Sequence, residues 1–138
     1  MNGRTATMLL LAASALAGGC TAQGSHFERI YTPPDKSVIY VYRPYSYAGS
    51  LIRPAVTCGD ETAQIAPGAY HAFIVPAGSV TCTAATHTTD EVEVPPQSRI
   101  YYIKEEIGWG LLIGNPHLEP MDTDEAQTEI RKCCVEQP

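Results

Sequence analysis

Val38-Ile39-Tyr40-Val41-Tyr42 is β-branched or aromatic at every position, so a strand formed here has two apolar faces. Water cannot be left on either side of it. The run predicts a buried central strand, and Arg99-Ile100-Tyr101-Tyr102-Ile103-Lys104 repeats the pattern. Between them the chain is cut by turn residues. Arg43-Pro44 ends the first strand, and Tyr45 to Ser50 reads as a loop. Ile52 to Cys58 and Glu61 to Ile65 flank Gly59-Asp60, a two-residue hairpin signal. Pro67-Gly68 and Pro76-Ala77-Gly78 bracket a strand from Ala69 to Val75, and Ser79 to Thr86 and Asp90 to Val94 follow. Turns spaced by roughly 8–12 residues favour a sandwich or a small barrel.

One helix closes the chain. Asp122 is placed to cap it, Glu125 stands at the capping-box position, and Met121 and Ala126 occupy the staple positions. Ala126, Ile130 and Cys133 or Cys134 share one face that can dock on a sheet.

At the other end, Met8 to Ala17 is a short apolar run behind a single basic residue, Arg4, and it stops at Gly18-Gly19-Cys20. A spanning helix needs about 20 apolar residues, so this run has the length of a signal-peptide core. Ala17-Gly18-Gly19-Cys20 reads as the cleavage and lipidation site of a bacterial lipoprotein. The competing reading is an ordinary secretory signal that leaves Cys20 free. On the first reading residues 1–19 are removed, Cys20 carries the lipid, and residues 20–36 are a flexible tether reaching about 50 Å when extended. Residues 37–134 then form the domain. Thr21, where aspartate would hold many lipoproteins at the inner membrane, favours the periplasmic face of the outer membrane.

Four further cysteines in an exported chain suggest disulfides, with three possible pairings. Cys58 and Cys82 each lie in an alternating segment and can face one core. Their bond would close a loop of roughly 25 residues and stabilise the fold by about 3–4 kcal/mol. A bond between adjacent Cys133 and Cys134 would close a strained small ring, so cross-pairing or free thiols stay open for them. The formal net charge of -6 becomes -7 when Arg4 leaves with the leader, 8 basic residues standing against 15 acidic. With no basic stripe to neutralise phosphates, nucleic acid is excluded as an expected partner. The acidic clusters read as solvated faces.

Val38 to Pro44, Gly49, Pro67-Gly68-Ala69-Tyr70, Val75-Pro76-Ala77-Gly78, Tyr101-Tyr102 and Leu118-Glu119-Pro120 together resemble the domain-of-unknown-function family numbered 2846 over residues 36–132. The resemblance implies a mostly β fold. The expected fold on this resemblance is a small antiparallel β-sandwich of the PEGA or carboxypeptidase-regulatory type with one C-terminal helix, of the kind found on bacterial lipoproteins and secreted proteins. It implies no catalytic residue, and the cysteines depart from the family.

The remaining candidates for chemistry are sparse. His26, His71, His87 and His117 show no close metal-binding spacing, so no metal and no cofactor is expected. Ser50 and Ser79 lack a nucleophile elbow, and Glu105-Glu106, as strand neighbours, point to opposite faces. Tyr45 and Tyr47, between Arg43 and Arg53, are of the kind that stacks on sugars or peptides, or else they pack at a sandwich edge. Gly108 to Gly114 carries the single Trp, and two readings compete for it. Either it is a loop folded over the sandwich end, or Trp109, Leu111, Leu112 and Ile113 form an apolar contact surface. The expected function is a non-catalytic binding or structural module in the cell envelope. The membrane is met through Cys20, and the partner is another envelope protein or the cell wall. The alternative is a small periplasmic enzyme or thiol-redox protein using Cys133 and Cys134.

Membrane-extracted protein is expected to have the intact mass of a chain that begins at Cys20 and carries diacylglycerol, with the thioether diacyl and N-acyl chains together giving stable anchoring. A Cys20→Ala variant that remained equally membrane-bound would contradict this.

Overall fold

The computed structural model describes residues 26–86, 88–97, 99–108 and 114–137. Among the described residues, nine strands and one helix follow one another. They are β1 (Lys36–Arg43), β2 (Ala55–Cys58), β3 (Glu61–Gln64), β4 (Ala69–Pro76), β5 (Val80–Ala85), β6 (Thr89–Val94), β7 (Ile100–Gly108), β8 (Asn115–Pro120), α1 (Thr123–Cys133) and β9 (Val135–Glu136). They build a five-stranded sheet, β8-β7-β1-β4-β9, and a four-stranded sheet, β3-β2-β5-β6. The protein is mostly β, a small sandwich with a single helix at its C-terminal end.

β1 is the middle strand of the larger sheet, and its two apolar faces serve two cores. Ile39 and Val41 meet Phe73, Val75 and Ile103 of their own sheet, and Val56, Ala84 and Val94 of the other. Val38, Tyr40 and Tyr42 turn the opposite way, toward Tyr70 and Tyr102 and toward Ala126 and Ile130 of α1. The helix therefore forms a third layer. Tyr40 stacks on Tyr102 with ring centroids 5.2 Å apart. Asp122 caps α1 by accepting from the backbone N–H of Asp124 at 2.9 Å and of Glu125 at 3.4 Å.

Three features differ from the sequence reading. The larger sheet is mixed, because β7 runs parallel to β1, with Val41 opposite Ile103, and β9 runs parallel to β4. Residues 115–120 form an edge strand with prolines at both 116 and 120. An edge tolerates them because β8 has a neighbour on one side alone, where a missing N–H breaks little. On its open side the Leu118 N–H donates to the Asp90 carboxylate at 2.7 Å, which blunts the edge.

Thirdly, the stretch read as a tether through residue 36 belongs to the domain from His26 onward. Phe27 is 6% exposed and lies edge-on to Tyr40 and Tyr70, at 5.3 and 5.2 Å between centroids. The Arg131 guanidinium covers its other side, and the Ile30 N–H donates to the Tyr40 hydroxyl at 2.8 Å. A polar stretch with one Phe lacks the periodicity that marks an element, yet that one ring supplies the packing.

Replacing Phe27 by Ala is expected to cost about 3 kcal/mol in urea unfolding, because it opens a cavity beside the Tyr40 and Tyr70 rings. Tyr31→Ala, at a side chain that is 79% exposed, is expected to stay within about 0.5 kcal/mol.

Candidate functional site

β1 ends at Arg43-Pro44 while its neighbour β7 continues to Gly108. A cavity of about 460 Å³ occupies the space that β1 leaves. Its walls come from Arg43 at the end of β1, from Pro44, Tyr45, Ser46 and Ala48 of the loop that follows, from Lys104 to Ile107 of β7, and from Glu129, Lys132 and Cys133 of α1. The loop is shaped by Gly49, whose φ of 69° suits glycine, and a Cβ there would collide with the Ile107 side chain. Tyr45 and Tyr47 are 61% and 89% exposed and pack edge to face, 5.5 Å apart.

On the helix side the charges are joined into one network. Lys104 Nζ lies 3.2 Å from Glu129 and 3.4 Å from Glu106, and the Tyr42 hydroxyl donates to Glu129 at 2.7 Å. The Tyr42 hydroxyl, with help from Lys104, holds the Glu129 carboxyl below its ordinary range against the effect of burial. Burial and then Glu129 push the Tyr42 phenol up. Burial alone would lower Lys104, but Glu129 and Glu106 outweigh it and raise it. Tyr42 and Lys104 donate and Glu129 accepts, so the network is a fixed arrangement of donors and acceptors.

The sandwich side is different. Arg43 continues the inward phase of Ile39 and Val41, and Glu105 continues that of Tyr101 and Ile103. Arg43 is buried and donates to three carbonyl oxygens: Ile52 at 2.8 Å, Ile65 at 3.2 Å and Gly49 at 2.7 Å. Its guanidinium thus ties the loop to the sandwich. Burial lowers its pKa somewhat. Glu105 is 0% exposed, and neither carboxylate oxygen has a hydrogen-bond partner among the described residues. Burial pushes its pKa up to about 7, and the charge of Arg43 offsets only part of that. The sequence carries the signal for this: a glutamate two residues beyond Ile103 in a strand points where Ile103 points.

Cys58 and Cys82 stand opposite each other on β2 and β5 and are bonded, fully buried in the sandwich core. Cys133 and Cys134, contrary to the expectation of cross-pairing or free thiols, are bonded to each other. His71 pairs with Glu61 at 2.7 Å and His117 with Asp90 at 3.0 Å, and no cluster of three metal-ligating side chains occurs among the described residues. Cys20, and the proposed contact residues Trp109, Leu111, Leu112 and Ile113, lie outside the described residues.

Comparison of the chain with protein-family models, with curated proteins and with solved structures finds no match.

Folded Glu105 keeps its proton up to about pH 7, while in the unfolded chain it ionises near 4.5. The folded state therefore binds the extra proton in between, and stability falls as pH rises from about 4.5 to about 7. The loss is on the order of 3 kcal/mol. Glu105→Gln is expected to flatten this part of the stability–pH curve in urea titrations. An unchanged slope would show that Glu105 is not its source.

Proposed function

We propose that this chain is a bacterial lipoprotein, held through Cys20 at the periplasmic face of the outer membrane, whose domain is a non-catalytic binding module. Its partner is another envelope protein or the cell wall. The cavity at the end of β1 is the observation that carries the binding part of this reading. A concave site with the exposed Tyr45 ring in its wall, Tyr47 packed against that ring, and paired charged groups opposite has the parts of a recognition surface. Lys104 is paired with both Glu106 and Glu129, and a network held in this way suits positioning a polar ligand better than moving its protons. Tyr45 adds an exposed ring, and an aromatic side chain of this kind supplies contact area at little entropic cost.

Membership of the family numbered 2846 is part of the same proposal. Its motif residues Pro67-Gly68-Ala69-Tyr70 and Val75-Pro76-Ala77-Gly78 support it by bracketing β4 with turns whose glycines have positive φ, 77° at Gly68 and 135° at Gly78. The alternative, a small enzyme or thiol-redox protein using Cys133 and Cys134, draws on their bond to each other. A helix C-terminus disfavours the thiolate that turnover needs, which weighs against it.

A photocrosslinking residue placed at Tyr45 or Tyr47 in cells is expected to capture one partner or cell-wall fragment, while the same residue at Thr81, on the outer face of the small sheet, is expected to stay silent. Crosslinks from Thr81 with none from the tyrosines would move the contact elsewhere and overturn this placement of the site.

A further inference from the structure

The C-terminal end of the domain is a corner held by short-range bonds. α1 ends at Cys133, Cys134 is extended, and β9 pairs with β4 over two residues, Ala69 with Val135 and Tyr70 with Glu136. The Val135 N–H donates to the Gly68 carbonyl at 3.1 Å and the Gln137 N–H to that of Tyr70 at 2.9 Å. The Gln137 side chain accepts from the Ala66 N–H at 2.8 Å and donates to the Gln64 carbonyl. On the other side of β9, His26 forms a bridge with Val135. The N-terminal arm and the C-terminal strand therefore hold each other.

A bond between neighbouring cysteines closes almost no loop, so it adds little through the entropy of the unfolded chain. Its effect is local: the small ring fixes the peptide at the corner between α1 and β9. The two disulfides also differ in access. Cys58 and Cys82 are fully buried, whereas Cys133 is partly exposed on the cavity wall. The reduced form has a place to go as well. Cys134 Sγ lies 3.7 Å from the Arg43 carbonyl oxygen. A disulfide sulfur has no proton to donate, but a thiol there becomes a weak donor to that oxygen.

We propose that Cys133–Cys134 is a thiol-exchange site, a latch that a dithiol reductant opens to release β9 and the N-terminal arm from β4. A thiolate of the reductant attacks Cys133 Sγ, the S–S bond breaks, and its electron pair leaves on Cys134 Sγ, which takes a proton. The second thiol of the reductant then attacks the mixed disulfide and frees Cys133 as a thiol. Two electrons and two protons pass to the cysteine pair, and the reductant departs as its own disulfide. In an anchored chain, release of the arm would lengthen the reach of the domain from Cys20.

Dithiothreitol titration of the folded protein tests this, with alkylation and peptide mapping at each step and hydrogen exchange read at Val135 and Gln137. Cys133 and Cys134 are expected to be alkylated well before Cys58 and Cys82. The two amides are then expected to exchange about tenfold faster, while those of β1 do not change. A Cys133→Ser/Cys134→Ser double variant is expected to show the fast exchange without reductant. The latch is overturned if the bond outlasts Cys58–Cys82, if exchange is unaltered by its opening, or if protein from an oxidising compartment carries both cysteines as free thiols.

Discussion

Burial of β1 on both faces is the constraint on which the other layers depend. Ile39 and Val41 need a second sheet, and Tyr40 and Tyr42 need something else on the outside. That something is α1 together with Phe27, the first large side chain of the described N-terminal arm. A fully buried large side chain contributes about 1.5–3 kcal/mol of transfer free energy, so neither face of β1 is dispensable in a domain this small. Both cores are fixed to one strand and share its register.

The cavity follows from the same strand. β1 stops at Arg43-Pro44, β7 does not, and α1 spans the gap. Arg43 then does two things at once. Its side chain fastens the loop carrying Tyr45 and Tyr47 through the carbonyls of Gly49, Ile52 and Ile65. Its backbone carbonyl faces Cys134. Because its N–H groups serve carbonyls, Glu105 is left inside the sandwich with a distant charge in place of a hydrogen bond, and it answers by holding its proton. A rigid floor with a polar rim is what the proposed binding role requires.

Much of this was legible in the residues. Two-sided apolar strands announced the layered core, Asp122 announced the helix start, and the alternation around Cys58 and Cys82 put both sulfurs on the inner face. What escaped has physical reasons. Parallel pairing of β1 with β7 depends on contacts sixty residues apart, and no local pattern encodes it. β8 carries two prolines, a signature that argues against a strand everywhere except at an edge. Phe27 is a single anchor in a polar stretch, where periodicity has nothing to count. Strand alternation turns Glu105 away from Glu106, but a charged side chain disguises a phase that leads into the core.

Native-state hydrogen exchange along β1, α1 and the small sheet measures most directly whether one strand unites the two cores. The amides of Tyr40 in β1, Ile130 in α1 and Ala84 in β5 should exchange only through global unfolding, with free energies that converge on the value from urea denaturation. If Ile130 exchanged through a separate opening several kcal/mol cheaper while Tyr40 and Ala84 stayed protected, the helical layer would be an appendage and the dependence on β1 would be wrong.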